Sequence, residues 1–65
     1  MVRISDEDLD RLRHDVRSPL VVIGGFAQLL AGEKEIADAD RRDYAERIQR
    51  AAEDLSAIID RTLGS

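Results

Sequence analysis

Apolar residues recur every three or four positions in two separate stretches of this chain, and this spacing constrains the fold more than any other feature. In the first stretch the stripe consists of Leu9, Leu12, Val16, Leu20, Ile23, Ala27 and Leu30. In the second stretch it consists of Tyr44, Ile48, Ala51, Leu55, Ile58 and Thr62, widened by Ala45, Ala52, Ile59 and Leu63. Because residues at such spacings share one face of a helix, the pattern predicts two amphipathic helices and an all-α fold.

Capping and turn-forming residues set the expected limits of both helices. Ser5 begins a sequence that resembles a capping box, so the first helix is predicted at about 6–31. The short acidic stretch at about 32–40 is predicted to be a loop. Asp40 can cap the second helix, which is predicted at about 41–63.

The chain is too short to enclose a large core by itself. Its 65 residues form at most one small domain, which buries only about 60% of the surface that the unfolded chain exposes. There is no cysteine for a disulfide, and a single histidine without partner ligands does not predict a metal site. We therefore expect an antiparallel two-helix hairpin that homodimerises into a four-helix bundle with twofold symmetry.

Charge and hydropathy exclude two classes of partner. The net charge is -4, with 10 basic and 14 acidic residues, whereas nucleic-acid binders normally carry a basic face. The longest continuous apolar run, Leu20–Ile23, is far too short to cross a bilayer, and the first residues do not resemble a signal peptide. We expect no nucleic-acid partner and no membrane contact by this segment, and a reducing cytoplasm is consistent with the lack of cysteine.

His14 is the best candidate for chemistry. On a helix it lies roughly 140° from Leu9, outside the apolar stripe, so its side chain should face solvent. An exposed imidazole is substantially neutral at physiological pH, and one ring nitrogen then has a lone pair that can attack phosphorus. Asp15 can hold the other ring nitrogen, although adjacent side chains diverge on a helix and the contact needs favourable rotamers or a distorted backbone.

Pro19 interrupts the hydrogen bonding of the first helix. It removes the amide that would bond to the Asp15 carbonyl, at a cost of about 3 kcal/mol in a helix interior. Helical spacing continues from Val16 to Leu20, which favours one continuous helix with a bend at Pro19. In the alternative, Ser18 caps a new helix that opens at Pro19.

The segment His14–Leu20 resembles the phosphoacceptor box of the histidine kinase dimerisation and phosphoacceptor (HisKA/DHp) domain family. That box reads His, an acidic residue, any residue, Arg or Lys, Ser or Thr, then Pro-Leu, and the sequence here is His-Asp-Val-Arg-Ser-Pro-Leu. The resemblance continues more loosely along the second helix from Tyr44 to Leu63. Between these two segments it includes Ile23, Gly25, Phe26, Leu29 and Leu30.

The resemblance implies a role in two-component signalling. His14 would take the γ-phosphoryl group of ATP, which a separate catalytic domain holds with Mg²⁺, and pass it to an aspartate of a response-regulator receiver domain. Asp15 would be the general base or orienting residue. Arg17 would contact the phosphate; the alternative, which the sequence favours equally, is that Arg17 is simply a solvated surface residue. Ser18 matches the position that helps to place water when the family dephosphorylates its regulator. The domain would then lie in the cytoplasm, alone or as part of a membrane-bound sensor.

Apolar residues beyond His14 indicate a partner surface. Val21 shares the helix face of His14, and the small Gly25 would let a partner helix come close, so Val21, Val22 and Gly25 are predicted to dock the receiver. In the alternative, Val21 and Val22 widen the bundle core.

Nothing in the sequence predicts nucleotide binding by this chain. Gly24 and Gly25 lie inside a predicted helix without the spacing of a phosphate-binding loop, so we expect no cofactor on the chain itself. The competing interpretation is a non-catalytic helical dimerisation module in which His14 is incidental. A monomeric phosphotransfer domain would need four helices in one chain.

Overall fold

The structure is a computed structural model that describes residues 4–32 and 34–64. These residues form two helices, α1 (Asp6–Gly32) and α2 (Asp38–Leu63), which pack side by side into a hairpin. The molecule is elongated, with extents of 48, 18 and 13 Å. The predicted all-α hairpin is therefore confirmed. Neither helix is long and apolar enough to cross a membrane within the described ranges.

The start of α1 follows from Ser5. The Asp8 amide donates to Ser5 Oγ at 3.1 Å, and the Leu9 amide donates to the Ser5 carbonyl at 3.0 Å. Pro19 lies inside α1, which continues unbroken on both sides of it. The alternative in which a second helix opens at Pro19 is therefore wrong, while the bend at Pro19 stays a prediction.

The start of α2 corrects the sequence prediction. The helix begins at Asp38 rather than near 41, so the connection is shorter than the predicted loop at about 32–40, and Asp40 lies inside the helix instead of capping it. Ala37 occupies the N-cap position without a side-chain hydrogen bond. Asp38 and Asp40 both lie in the first turn, where their negative charge interacts favourably with the helix dipole. This interaction stabilises a helix start that has no polar cap.

The end of α2 is fixed by a glycine. Gly64 has φ 72°, a left-handed conformation that glycine adopts without a steric penalty. Its amide donates to the Asp60 carbonyl at 2.8 Å, which satisfies one of the carbonyl groups left open at the helix end. Gly64 therefore terminates α2 directly after Leu63.

The line of contact between α1 and α2, called the seam here, is antiparallel and thinly packed. Phe26 from the second half of α1 meets Tyr44 from the first half of α2, with ring centroids 5.3 Å apart. Within residues 4–32 and 34–64, the buried residues are Pro19 and Ala51. The other seam side chains remain partly exposed, so one hairpin supplies very little core.

Exposed apolar side chains lie on both sides of the seam. Helical geometry places four of them on one side, which we call the apolar face: Leu9, Leu20, Ile59 and Leu63. Their exposed fractions range from 37% for Ile59 to 50% for Leu20. The opposite side, called the histidine face, carries His14 together with Ser18, Val21, Val22, Gly25 and Leu29.

Candidate functional site

α1 presents His14 to solvent near its N-terminal end. The His14 side chain is 88% exposed, whereas the adjacent Asp15 side chain is 42% exposed because it lies closer to α2. The outward direction of His14 agrees with the position of the residue relative to the apolar stripe. A second protein can therefore reach the imidazole without any opening of the hairpin.

His14 and Asp15 are in contact although they are adjacent on a helix. Nδ1 of His14 lies 3.4 Å from Oδ1 of Asp15, which is longer than the usual 2.7–3.2 Å of an N–H···O bond. In the tautomer that carries its proton on Nδ1, the ring donates to the carboxylate and the lone pair is on Nε2. The contact forms while α1 remains helical, so no break in the backbone is needed to bring the two groups together.

A groove of about 720 Å³ runs along the seam on the histidine face. Ser18, one turn after His14, lines this groove together with Asp15. From α1 the further lining residues are Pro19, Val22 and Phe26, and from α2 they are Arg47, Arg50, Ala51, Asp54, Ala57, Ile58 and Arg61. The groove therefore combines an apolar floor with charged groups along its α2 side.

An apolar depression of about 290 Å³ adjoins the groove and is lined by Val21, Val22, Gly25, Phe26 and Leu29. The Val21 side chain is 66% exposed, and a Cβ atom at Gly25 would meet nothing within 4 Å. The three residues predicted to dock a partner are thus brought together on one open surface, on the side opposite the apolar face. Their role in docking stays a prediction.

Arg17 is exposed and lies in neither the groove nor the depression. Its direction on the helix is roughly 60° from that of His14, close enough for a long side chain to reach a group on the ring. Its role as a phosphate contact stays a prediction. In the part of the chain that the structure describes, no group of three or more metal-ligating side chains is found.

Arg47 is a residue that sequence reasoning missed. Its Nε donates to Oδ2 of Asp43 at 3.0 Å, and its guanidinium carbon lies 5.6 Å from the ring centroid of Phe26. The Asp43–Arg47 pair could have been found from its spacing of four residues. The position over Phe26 depends on how the two helices align, which the spacing does not specify.

The model of the His Kinase A (phospho-acceptor) domain family matches residues 8–64, a range that includes His14 and most of both helices. The chain belongs to this family. As a family member, it is a phosphoacceptor and dimerisation domain of the histidine kinase type, and the resemblance of the His14–Leu20 segment is confirmed at the level of the family.

Curated relatives of this His Kinase A domain include the cell-division control histidine kinases PdhS of Brucella anthropi, Brucella ovis and Brucella suis. Each is 38% identical to it over 55 residues, which cover 82% of this chain and 5% of the relative. The chain therefore spans only a small part of the length of these kinases. No solved structure matches it significantly.

Proposed function

We propose that this chain is the dimerisation and phosphoacceptor domain of a two-component sensor histidine kinase, and that His14 is the phosphorylated residue. The observation that carries the proposal is the 88% exposed His14 side chain with its Nδ1 3.4 Å from the Asp15 carboxylate. Membership of the His Kinase A (phospho-acceptor) domain family supports the same assignment.

The His14–Asp15 contact supports different roles for the two ring nitrogens. Nε2 attacks the γ-phosphorus of ATP, a nitrogen–phosphorus bond forms, and the bond to the bridging oxygen breaks as ADP leaves with the electron pair. Attack makes the ring cationic, and the Asp15 carboxylate neutralises that charge or accepts the Nδ1 proton. A separate ATP-binding domain would hold the nucleotide and Mg²⁺, and Arg17 would contact the phosphoryl oxygens.

The histidine face supports the second step of the relay. A carboxylate of a receiver aspartate attacks the phosphorus, the nitrogen–phosphorus bond breaks, and an acyl phosphate forms on the regulator. Val21, Val22 and Gly25 would seat the receiver beside the phosphorylated ring. The domain would also dephosphorylate the regulator. The Ser18 hydroxyl, one turn from His14, can hold the water molecule that hydrolyses the regulator phosphate. Since its substrates are cytoplasmic, the domain would act in the cytoplasm.

The apolar face supports dimerisation. Leu9 and Leu20 on α1 and Ile59 and Leu63 on α2 are exposed in one hairpin and lie on the same side of the seam. Pairing two such faces about a twofold axis would bury them in a four-helix bundle. This arrangement leaves the histidine face of each protomer open to the ATP-binding domain and the receiver.

The test is direct phosphorylation of the purified chain. The chain is incubated with a small phosphoramidate donor, or with a related catalytic domain plus ATP and Mg²⁺, and the phosphate is located by mass spectrometry. We expect one acid-labile phosphate on His14, none in His14→Gln, and slower labelling in Asp15→Asn. A dimer that takes no phosphate from either donor would instead support a non-catalytic dimerisation module.

A further inference from the structure

A second cavity, of about 330 Å³, lies at the seam beside Asp15. Its lining residues are Asp8, Arg11, Asp15, Ile58, Arg61 and Thr62. Asp15 and Arg61 also line the larger groove, so an acidic residue of α1 and a basic residue of α2 border the same two spaces. His14 lines neither space.

The charges around this cavity are incompletely paired. Oδ1 of Asp15 contacts His14, and a carboxylate has a second oxygen that can accept hydrogen bonds at the same time. In the ranges 4–32 and 34–64 Arg61 forms no ion pair, either with Asp15 or with another residue. A guanidinium is always charged and presents several donors in a fixed plane, which suits it to hold a carboxylate in one orientation.

On the basis of the proposed role of His14, we infer that Arg61 is a positioning residue. Its long side chain reaches across the shared cavity to the Asp15 carboxylate during phosphorylation and holds it against the imidazole. Activated nucleophiles commonly use a base that is itself oriented by a third group, and Arg61 is placed to be that group. Because Asp15 lines the same cavity as Arg61 and His14 does not, Arg61 acts on the carboxylate rather than on the phosphoryl group. Arg61 is on α2, so the reactivity of His14 depends on how α2 is aligned with α1.

A double-mutant cycle tests this coupling. Arg61→Ala, Asp15→Asn and the combined variant are compared with the unmodified chain for the rate of His14 phosphorylation by phosphoramidate. We expect Arg61→Ala to slow the reaction roughly threefold to tenfold, and to have no further effect in the Asp15→Asn background. Arg61→Lys should restore part of the rate. Arg42→Ala, which removes the same charge from an exposed position of α2 outside these cavities, should change nothing.

The tautomer of His14 gives a second readout, which a purely structural effect would not change. Nitrogen-15 NMR of the ring should show less Nδ1–H form in Arg61→Ala than in the unmodified chain, and no such change in Arg42→Ala. If the unmodified chain is phosphorylated but Arg61→Ala keeps both its rate and its tautomer ratio, the inference is wrong and the proposed function stands. A slower phosphorylation of His14 in Arg11→Ala, with an unchanged rate in Arg61→Ala, would also overturn the inference. If the unmodified chain takes no phosphate, the proposed function fails, and the tautomer ratio still decides whether Arg61 acts through Asp15.

Discussion

Phe26 of α1 packs against Tyr44 of α2 with ring centroids 5.3 Å apart and ring planes inclined by 37°. Tilted aromatic pairs at this separation are favourable beyond the apolar area that they bury. Arg47 extends the cluster, since its guanidinium lies over Phe26 while Asp43 binds it from the preceding turn. These contacts join the two helices at the end of the hairpin where α1 connects to α2.

Phe26→Ala should lower the free energy of unfolding by about 2 kcal/mol, less than the roughly 3–5 kcal/mol lost at a full core position, because Phe26 is only half-buried. Urea unfolding followed by circular dichroism at one protein concentration measures the loss. Val21→Ala is the control: its side chain is 66% exposed, and we expect a change within about 0.5 kcal/mol. Equal losses in both variants would contradict the importance of the aromatic contact.

Leu20 and Val21 are adjacent, yet they lie on opposite sides of the seam. Leu20→Asp should dissociate the dimer, because it would place a charge within the buried interface of the proposed bundle. Val21→Asp should leave the dimer intact, since it changes the histidine face. Sedimentation or light scattering gives the mass of each variant. A monomeric Val21→Asp beside a dimeric Leu20→Asp would show that the two faces are assigned the wrong way round.

Gly25 and Gly24 offer a matched pair for the docking surface. A Cβ atom at either position meets nothing within 4 Å, so each change to alanine should stabilise α1 by up to about 1 kcal/mol. Only Gly25 lines the apolar depression next to Val22. Gly25→Ala should therefore slow phosphoryl transfer to a receiver domain, measured as the rate of label loss from His14, whereas Gly24→Ala should not. Equal transfer rates would remove Gly25 from the docking surface.

Ser18→Ala separates the two activities proposed for the domain. Phosphorylation of His14 should be nearly unchanged, because the hydroxyl is one turn away from the ring and is not needed for attack by Nε2. Removal of phosphate from the regulator should fall, since alanine cannot hold a water molecule. The rates of His14 phosphorylation and of regulator dephosphorylation are measured with the same receiver. Ser18→Thr keeps a hydroxyl and should retain the dephosphorylation rate. An undiminished hydrolysis rate in Ser18→Ala would exclude a catalytic role for the hydroxyl.

The sequence was sufficient for the parts of the structure that depend on helical periodicity. The two apolar stripes predicted the hairpin, and the angle between Leu9 and His14 predicted that the imidazole faces solvent. The start of α2 was missed by three residues because Asp40 looks like a cap by residue type. An acidic first turn is favourable with or without a polar cap, so residue type alone does not distinguish the two positions.

The charged residues from α2 could not be predicted in the same way. Arg61 and Asp15 are far apart in the sequence, and they meet at one cavity only because of how the antiparallel helices are aligned. Periodicity says which face of a helix a residue occupies, but not which residue of the other helix stands opposite. The same limit applies to Arg47 over Phe26.

Pro19 and Ala51 are the buried residues of the hairpin in the described ranges, and so small an interior has a consequence for how the protein exists in solution. A protomer that buries so little of its own surface would depend on dimerisation for most of its stability. The midpoint of thermal denaturation should therefore rise with protein concentration. Mass action would then govern how many copies hold an ordered His14, and under the proposed function the amount of protein would be one of the variables that set the rate of His14 phosphorylation.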